Sequence, residues 1–221
     1  MSDSNETKVY IFNCDKLQDM KLFERCYNLM PKYRKEKIDS LRFYEDKRLS
    51  LGAGILLSRF FSSDDLDNIM LEGAGKPYLQ GSELNFNLSH SKSLAMLALS
   101  KNRVGCDVQF VEPVSMKVAK RFFNDNEYKL ISEAESEEER TALFFRLWTL
   151  KESFMKATGL GMSLPLNKFE IGFKEGTPFV EQKVNNKEYS FKEYNLELPY
   201  YFSVCAEGKT EFAEKTEEIE I

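Results

Sequence analysis

The segment TALFFRLWTLKESFMKATGLG, from Thr141 to Gly161, decides how this chain folds. It is strongly helical along its length, and Gly159 is a stop signal typical of a helix C-terminus. Within the segment Trp148, Glu152 and Lys156 recur every four residues, so they share one face of the predicted helix. A Glu–Lys pair at this spacing is usually a surface ion pair that contributes about 0.3–0.5 kcal/mol. These three residues therefore indicate a function only if other parts of the chain supply residues for the same site.

Three short strands are predicted upstream of this helix, joined by turns as an antiparallel meander. They are NFNLSHS at 85–91, LAMLALS at 94–100 and VGCDVQF at 104–110. In the third strand Asp107 and Gln109 lie two residues apart and therefore point to the same face of the sheet. An aspartate in a strand is more often a strand-end or turn contact than a ligand, so Asp107 alone is a weak signal.

His90 is the only histidine of the chain and stands between two serines. Its imidazole could be a base, a metal ligand, a phosphate contact or a packed side chain with a polar partner. No second histidine accompanies it, and no neighbouring cysteine or Asp–Ser arrangement is present. A hydrolase triad therefore finds little support, and the other roles stay open on the residues alone.

The remaining pattern distributes helices and strands over both halves of the chain. We expect two α+β lobes, 1–105 and 106–221, with helices and strands of similar length in each half. The predicted elements are a strand at 8–13, a helix at 17–30, a basic helical region at 32–59, helices at 114–123 and 125–134, strands at 168–173, 188–196 and 200–207, and a frayed acidic tail from Thr210.

Charge and composition narrow the class of protein. The net charge of −5 argues against general nucleic-acid binding, which needs an excess of basic residues. The region 32–59 is nevertheless locally basic, a pattern usual for a solvated helix face but also suited to an anion cleft. No apolar run approaches the ~20 residues that span a bilayer, and the N-terminal MSDSNETK lacks the apolar core of a secretory signal. We expect a cytoplasmic protein without membrane attachment.

Four cysteines are widely spaced along the chain, with no C-x-x-C pair among them. This spacing fits neither a zinc site nor a dense disulfide framework. Free cysteine is among the most buried residue types, so we expect reduced, packed thiols. The residues are Cys14, Cys26, Cys106 and Cys205.

The strand and the helix together could form a magnesium–phosphate site. Carboxylates such as Asp107 and Glu152 suit Mg²⁺, which keeps several waters and takes further ligands from substrate phosphates. Lys156 and a protonated His90 would then neutralise the phosphate charge that the metal leaves uncovered. Each residue is weak evidence alone, and the combination indicates phosphoryl chemistry.

Four motifs in chain order resemble those of the Sfp-type 4'-phosphopantetheinyl transferases. The family pattern is G-K-P, F-N-x-S-H-S, G-x-D-x-E and W-x-x-K-E-(S/A)-x-x-K, of which the last is specific and the first means little alone. The resemblance extends from the basic region to about Leu166 and implies the fold of that family, an α+β fold of two similar pseudo-twofold lobes, each a small antiparallel sheet packed with helices. The matching segments are GKPY at 75–78, FNLSHS at 86–91, GCDVQ at 105–109 and WTLKESFMKATGLGMSLPL at 148–166.

The resemblance implies a reaction and a metal site. The enzyme would transfer 4'-phosphopantetheine from coenzyme A to a serine of an apo acyl or peptidyl carrier protein, releasing adenosine 3',5'-bisphosphate. Carried over residue by residue, Asp107, Gln109 and Glu152 ligate Mg²⁺, which Mn²⁺ could replace. Lys156 contacts the phosphate that gains charge, and Glu152, or a water it orients, takes the serine proton. With two lobes in one chain, we expect a monomer.

The resemblance also implies the contacts to coenzyme A. Ser89 and His90 would hold its phosphates, and Lys76 would lie beside the nucleotide. Basic residues of the region 32–48, for which we choose Lys37 and Arg48, would hold the 3'-phosphate. His90 is therefore best interpreted as a phosphate contact.

Gln109 departs from the family pattern, which commonly has glutamate at this position. An amide offers one oxygen but removes a negative charge from the metal site. The alternative hypothesis is a catalytically weakened coenzyme A- or carrier-protein-binding module, against which the retained Asp107, Glu152 and Lys156 weigh. A third hypothesis is another kind of Mg²⁺-dependent phosphoryl-transfer enzyme. In that case the motif at 148–166 would be a coincidence, and the chain also lacks a P-loop or kinase glycine motif.

Overall fold

The computed structural model describes residues 6–221 and shows an α+β fold of small antiparallel sheets packed with helices. This confirms the predicted fold class. Residues 1–5, which begin the polar N-terminal segment discussed above, lie outside the described residues. Among residues 6–221, none of the helices combines the length and apolar character needed to cross a membrane. The division of the chain near residue 105 stays a prediction.

The described part of the first half contains four α-helices and five strands. Asp19 accepts hydrogen bonds from two amides of the first turn of α1, so this helix begins one residue later and follows a 3₁₀ turn at Cys14–Gln18. The predicted basic helical region is two helices, α2 and α3. The elements are β1 (Glu6–Asn13), α1 (Met20–Asn28), α2 (Lys32–Ser40), α3 (Tyr44–Ser58), α4 (Ser63–Asp67), β2 (Ile69–Glu72), β3 (Lys76–Leu79), β4 (Asn85–Ser91) and β5 (Leu94–Ser100).

The second half is dominated by its longest helix, α7. Ser136 caps this helix by accepting from the amide of Glu139, and three acidic residues favour its N-terminus, so it begins before the predicted Thr141. Gly159, with φ 76°, ends it as predicted. The elements are β6 (Val104–Phe110), α5 (Met116–Phe122), α6 (Asp125–Ser132), α7 (Glu137–Thr158), β7 (Glu170–Lys174), β8 (Thr177–Glu181), β9 (Tyr189–Tyr194), β10 (Tyr200–Glu207), β11 (Glu211–Phe212) and β12 (Glu217–Glu218).

The predicted three-stranded meander is wrong. Strands β4 and β5 pair antiparallel, but β6 joins a second sheet in the order β6-β10-β9. The reason is that β10 offers β6 an unbroken register, from Tyr200 opposite Phe110 to Ala206 opposite Val104. A pattern of local alternation cannot show a partner so far along the chain.

The predicted frayed tail is also wrong. Strands β11 and β12 pair parallel with β1 and so cover an edge of the first sheet. Ile219 packs against the core of the first half, and its amide donates to the carbonyl oxygen of Ile11 at 2.9 Å. The tail is ordered because it buries apolar surface and satisfies an edge that would otherwise be open.

Three apolar clusters hold these layers together. One lies around α3 and the first sheet, and a second lies around α7. The third lies between the two sheets, with Met96 of β5 and Val108 of β6 among its fully buried members. All four cysteines are free and buried, as predicted, and burial raises the pKa of Cys14 and Cys106 to about 12.

Candidate active site

Strand β6 lies directly against helix α7 because residue 105 is glycine. A Cβ atom on Gly105 would lie 2.1 Å from the carbonyl oxygen of Ser153 and 2.3 Å from the amide nitrogen of Ala157. No other residue fits there unless the helix moves. This close approach brings Asp107, two residues further along β6, to Lys156 of α7.

Lys156 is bound to the strand and not to its helical neighbour Glu152. Its Nζ donates to Asp107 Oδ1 at 2.7 Å, to the Ser89 hydroxyl at 3.0 Å and to the carbonyl oxygen of Cys106 at 3.1 Å. The Asp107 side chain is only 2% exposed. Burial by itself would lower the pKa of the Lys156 ammonium, but the charge and hydrogen bond of Asp107, with Cys106 and Glu152, together outweigh this effect, and the pKa lies above its usual value. The residue is therefore a charged group fixed at the contact between strand and helix.

Glu152 lies beside this pair without a partner of its own. Burial and the negative charge of Asp107 raise the pKa of the Glu152 carboxyl, and Lys156 offsets this only in part. In residues 6–221 its side chain has neither an ion pair nor a hydrogen bond. Gln109 donates from Nε2 to Asp107 Oδ2 at 3.3 Å. The carboxyl groups of Asp107 and Glu152 thus lie close enough for their negative charges to repel, and a bound cation would relieve this repulsion.

The donor set suits a metal that needs few protein ligands. Among the described residues, His, Cys, Asp and Glu nowhere gather in a group of three or more able to hold a metal ion. Asp107, Glu152 and the amide of Gln109 supply two charged groups and one neutral group. Mg²⁺ is commonly bound by one or two carboxylates together with substrate phosphates and water. The residues present fit Mg²⁺ on that basis.

His90 lies within electrostatic reach of three cations. The His90 side chain is exposed, yet the surrounding protein and the charges of Lys156, Lys37 and Arg34 lower its pKa. Desolvation and the charge of Arg34 likewise lower the pKa of Lys37. The structure therefore brings the predicted residues Lys37, His90 and Lys156 into one electropositive region.

Arg34 belongs to this region and was missed by the sequence interpretation. It is 3% exposed, and its Nε and Nη2 have no hydrogen-bond partner among residues 6–221. Unmade bonds of a buried polar group cost about 1–3 kcal/mol, so the guanidinium indicates a place for an anion. The sequence feature that could have identified Arg34 is its position three residues before Lys37, which puts both side chains on one face of α2.

The other three predicted coenzyme A contacts are bonded to protein groups. Lys76 Nζ donates to carbonyl oxygens of β6 and α7 at 2.8 and 3.4 Å, and burial lowers its pKa to about 8. Arg48 Nη1 donates to Asp15 at 2.9 Å, while its Nε is buried without a partner among the described residues. The Ser89 hydroxyl donates to Asp107 at 2.8 Å. Their roles toward coenzyme A stay predictions.

Comparison with known proteins gives the family. The model of the 4'-phosphopantetheinyl transferase superfamily matches residues 103–205, which include β6 and α7. The 4'-phosphopantetheinyl transferase Sfp of Bacillus subtilis is 30% identical over 206 residues, covering 90% of this chain and 92% of that protein. The enzyme psf-1 of Bacillus pumilus is 30% identical over 209 residues, covering 90% and 89%. The enzyme gsp of Aneurinibacillus migulanus is 39% identical over 114 residues, covering 52% and 47%. The chain belongs to the 4'-phosphopantetheinyl transferase superfamily.

Proposed function

We propose that this protein transfers the 4'-phosphopantetheine arm of coenzyme A to a serine hydroxyl of an apo acyl or peptidyl carrier protein, with Mg²⁺ or Mn²⁺ as the metal. The product released would be adenosine 3',5'-bisphosphate. The observation that supports this most is the meeting of Asp107, Glu152 and Lys156 where β6 contacts α7. The rival hypothesis, a weakened binding module, rests on Gln109 alone.

The reaction can be assigned to residues of the site. Asp107 and Glu152, with Gln109 as a third position, would hold Mg²⁺, which when bound stabilises negative charge on the pyrophosphate oxygens. Lys156, whose three N–H donors are bonded to Asp107, Ser89 and Cys106 in this structure, exchanges one of these bonds for the phosphate oxygen that gains charge. The serine oxygen forms a bond to phosphorus as the phosphoanhydride bond to the nucleotide breaks. Glu152, whose pKa is raised, accepts the serine proton directly or through a water.

The direct test is intact-mass analysis of several apo carrier proteins after incubation with coenzyme A. We expect the mass of phosphopantetheine to be added to the carrier only when Mg²⁺ or Mn²⁺ is present. Measurable coenzyme A binding without mass gain on any carrier would favour the binding-module hypothesis. Because the carrier is unidentified, acyl and peptidyl carriers are both included.

The electropositive region suits the 3'-phosphate of coenzyme A. Arg34 and Lys37 lie on α2 of the first half, and Lys156 lies on α7 of the second half. Coenzyme A would therefore lie between the proposed lobes 1–105 and 106–221. Arg34 carries the strongest indication because its buried donors are unused. A phosphate would supply their missing acceptors through charge-assisted hydrogen bonds.

Replacing Arg34 with alanine should raise KM for coenzyme A by about tenfold or more, which corresponds to about 1.4 kcal/mol. Dephospho-coenzyme A lacks the 3'-phosphate, so its KM should be the same in the variant and the wild type. Lys32→Ala is a matched control, because Lys32 stands on the same helix with its side chain 86% exposed. An equal rise in KM for both substrates would place the 3'-phosphate elsewhere.

Helix α5 offers a surface for an acidic carrier protein. Lys117, Lys120 and Arg121 are exposed, and neither lysine forms an ion pair within the described part of the chain. The helix lies beside α7 through an edge-to-face contact of Phe122 with Trp148 at 5.6 Å. Trp148 stands one helical turn before Glu152, so α5 packs against the part of α7 next to the proposed site.

Reversing the charge of Lys117 and Lys120 to glutamate should raise KM for the carrier but not for coenzyme A. The effect should be larger at low salt, because exposed charges are screened over a Debye length of about 8–10 Å at ordinary ionic strength. Lys183→Glu with Lys209→Glu is a matched control that changes the net charge equally at other exposed positions. Equal changes in both Michaelis constants would argue against docking on α5.

Gln109→Glu should lower the Mg²⁺ concentration that gives half-maximal activity. A charged oxygen would replace a neutral amide or a water, and the carboxylate content of the site would rise from two to three. Gln109→Leu, which has no ligand atom, serves as the opposite control and should need more Mg²⁺. If the titration curve of Gln109→Glu overlays that of the wild type, Gln109 is not part of the metal site.

A further inference from the structure

Strand β4 is joined to strand β6 by side chains and not by backbone pairing. Asn87, Ser89 and Ser91 occupy alternate positions of β4 and so point to the same side. Each of them accepts a hydrogen bond from a backbone amide of β6, and these amides also belong to alternate residues. The pairs are Asn87 with Cys106 at 2.9 Å, Ser89 with Val108 at 3.3 Å and Ser91 with Phe110 at 3.0 Å. We call them the side-chain ladder.

The ladder supplies acceptors that β6 needs. Strand β6 has a backbone partner, β10, on one side only. In an antiparallel pair the amides of every second residue face the partner, and the others face the opposite edge. That edge of β6 lies within the protein, where an unpaired amide is costly. Asn87 receives a further bond, from the Cys106 thiol to its carbonyl oxygen at 3.2 Å.

The hydroxyl of Ser89 is fully used in this arrangement. It donates to Asp107 Oδ1 at 2.8 Å, and it accepts from the amide of Val108 and from Lys156 Nζ at 3.0 Å. A hydroxyl has one donor and two acceptor positions. Ser89 could therefore hold a phosphate only by breaking one of the bonds that fix Asp107, β6 or Lys156.

We propose that Asn87, Ser89 and Ser91 are positioning residues, which fix β6 and thereby set Asp107 against Lys156 for the reaction. This inference rests on the proposed transferase function and adds to it a role for the F-N-x-S-H-S segment other than phosphate binding. Ser89 acts on the reacting groups through Asp107 and Lys156. Asn87 and Ser91 act on either side of it by holding the strand that carries Asp107.

A positioning role and a phosphate-binding role of Ser89 predict changes in different constants, kcat in the first case and the dissociation constant of coenzyme A in the second. If Ser89 positions Asp107 and Lys156, Ser89→Ala should lower kcat by about tenfold or more, because small misplacements of reacting groups cost rate. The dissociation constant of coenzyme A, measured by calorimetry, should stay within about twofold of the wild-type value. A weaker coenzyme A complex with unchanged kcat would show a phosphate contact and would overturn the positioning role of Ser89.

Ser91 tests the ladder away from the reacting groups. Ser91→Ala should lower kcat about three- to tenfold without changing coenzyme A binding, and Ser91→Thr, which keeps the hydroxyl, should restore kcat. Ser100→Ala is the matched control. It removes a buried hydroxyl that bonds to Thr7 at 2.7 Å, so it should lower the melting temperature and leave kcat unchanged. Unchanged kcat in Ser91→Ala, or an equal loss in Ser100→Ala, would overturn the proposal.

Failure of the ladder and failure of the proposed function are distinguishable. A wild-type protein that modifies no carrier would contradict the function before any variant is compared. If the wild type is active, the ratios of variant to wild type decide the ladder alone. Hydrogen exchange gives a readout without turnover, since the Phe110 amide should exchange faster in Ser91→Ala than in Ser91→Thr. Equal exchange in the two variants would show that the hydroxyl does not hold β6.

Discussion

Lys156→Ala is expected to lower kcat by about a hundredfold or more, because Lys156 is the cation placed to stabilise charge on the phosphate in the transition state. Its Nζ lies 2.7 Å from Asp107, in the middle of the proposed metal and phosphate site. A plain i,i+4 pair with Glu152 would instead contribute about 0.3–0.5 kcal/mol to stability and nothing to turnover. Steady-state kinetics on a purified carrier protein measure the difference.

Stability has to be measured on the same variant. Removing Lys156 leaves the buried carboxylate of Asp107 without its ion-pair partner, and breaking a buried pair can cost about 3–5 kcal/mol. Assays therefore run well below the melting temperature of the variant. Lys129→Ala is the control, because Lys129 is 71% exposed and pairs with Glu133 on the surface of α6. A folded Lys156→Ala enzyme with wild-type kcat would remove this residue from the active site.

Local patterns predicted the strands of the site well. The bounds of β4, β5, β6 and β10 agree with those expected from the sequence, where short apolar or alternating runs lie between turn residues. The partners of these strands were not predictable in the same way. The pairing of β6 with β10 and of β1 with the tail depends on residues distant in sequence, and no local period records that choice.

The sequence predicted which residues form the site better than it predicted the contacts between them. Helical spacing put Glu152 and Lys156 on one face and suggested that they pair, but Lys156 reaches Asp107 instead. The cause is Gly105, which lets β6 approach α7 closely, and its effect cannot be read from the helix alone. Arg34 was missed because a basic run normally lies in solvent, whereas this guanidinium is buried between α2 and α3.

Buried polar contacts also indicate a different role for Ser89 of the FNLSHS motif. The resemblance assigned Ser89 to coenzyme A on the strength of its place in FNLSHS. In the structure the alternate members of that segment bond to β6, while His90 points the other way into the electropositive region. One strand thus serves two purposes by the simple alternation of its side chains.

Asp107→Ala should remove nearly all turnover, by about a thousandfold or more, or about 4 kcal/mol in the barrier. Asp107 is buried and accepts from Lys156, Ser89 and Gln109 at once, and its loss would leave Glu152 as the only carboxylate for the metal. Because the alanine variant leaves three donors without an acceptor, it could lose activity through misfolding. The isosteric Asp107→Asn, which keeps an oxygen acceptor and loses only the charge, separates the two causes.

The Asp107→Asn variant should fold, bind coenzyme A in calorimetry and need far more Mg²⁺ than the wild type for half-maximal activity. Its affinity for Mn²⁺ in the presence of coenzyme A, measured by paramagnetic resonance without carrier protein, should fall by about tenfold or more, since one of two anionic ligands is gone. Glu152→Gln should show the same loss of Mn²⁺ affinity, because both carboxylates share the ion. If Asp107 only holds Lys156 in place, Asp107→Asn will bind Mn²⁺ as the wild type does while Glu152→Gln will not. That result would leave Asp107 as the partner of Lys156 and take it out of the metal site.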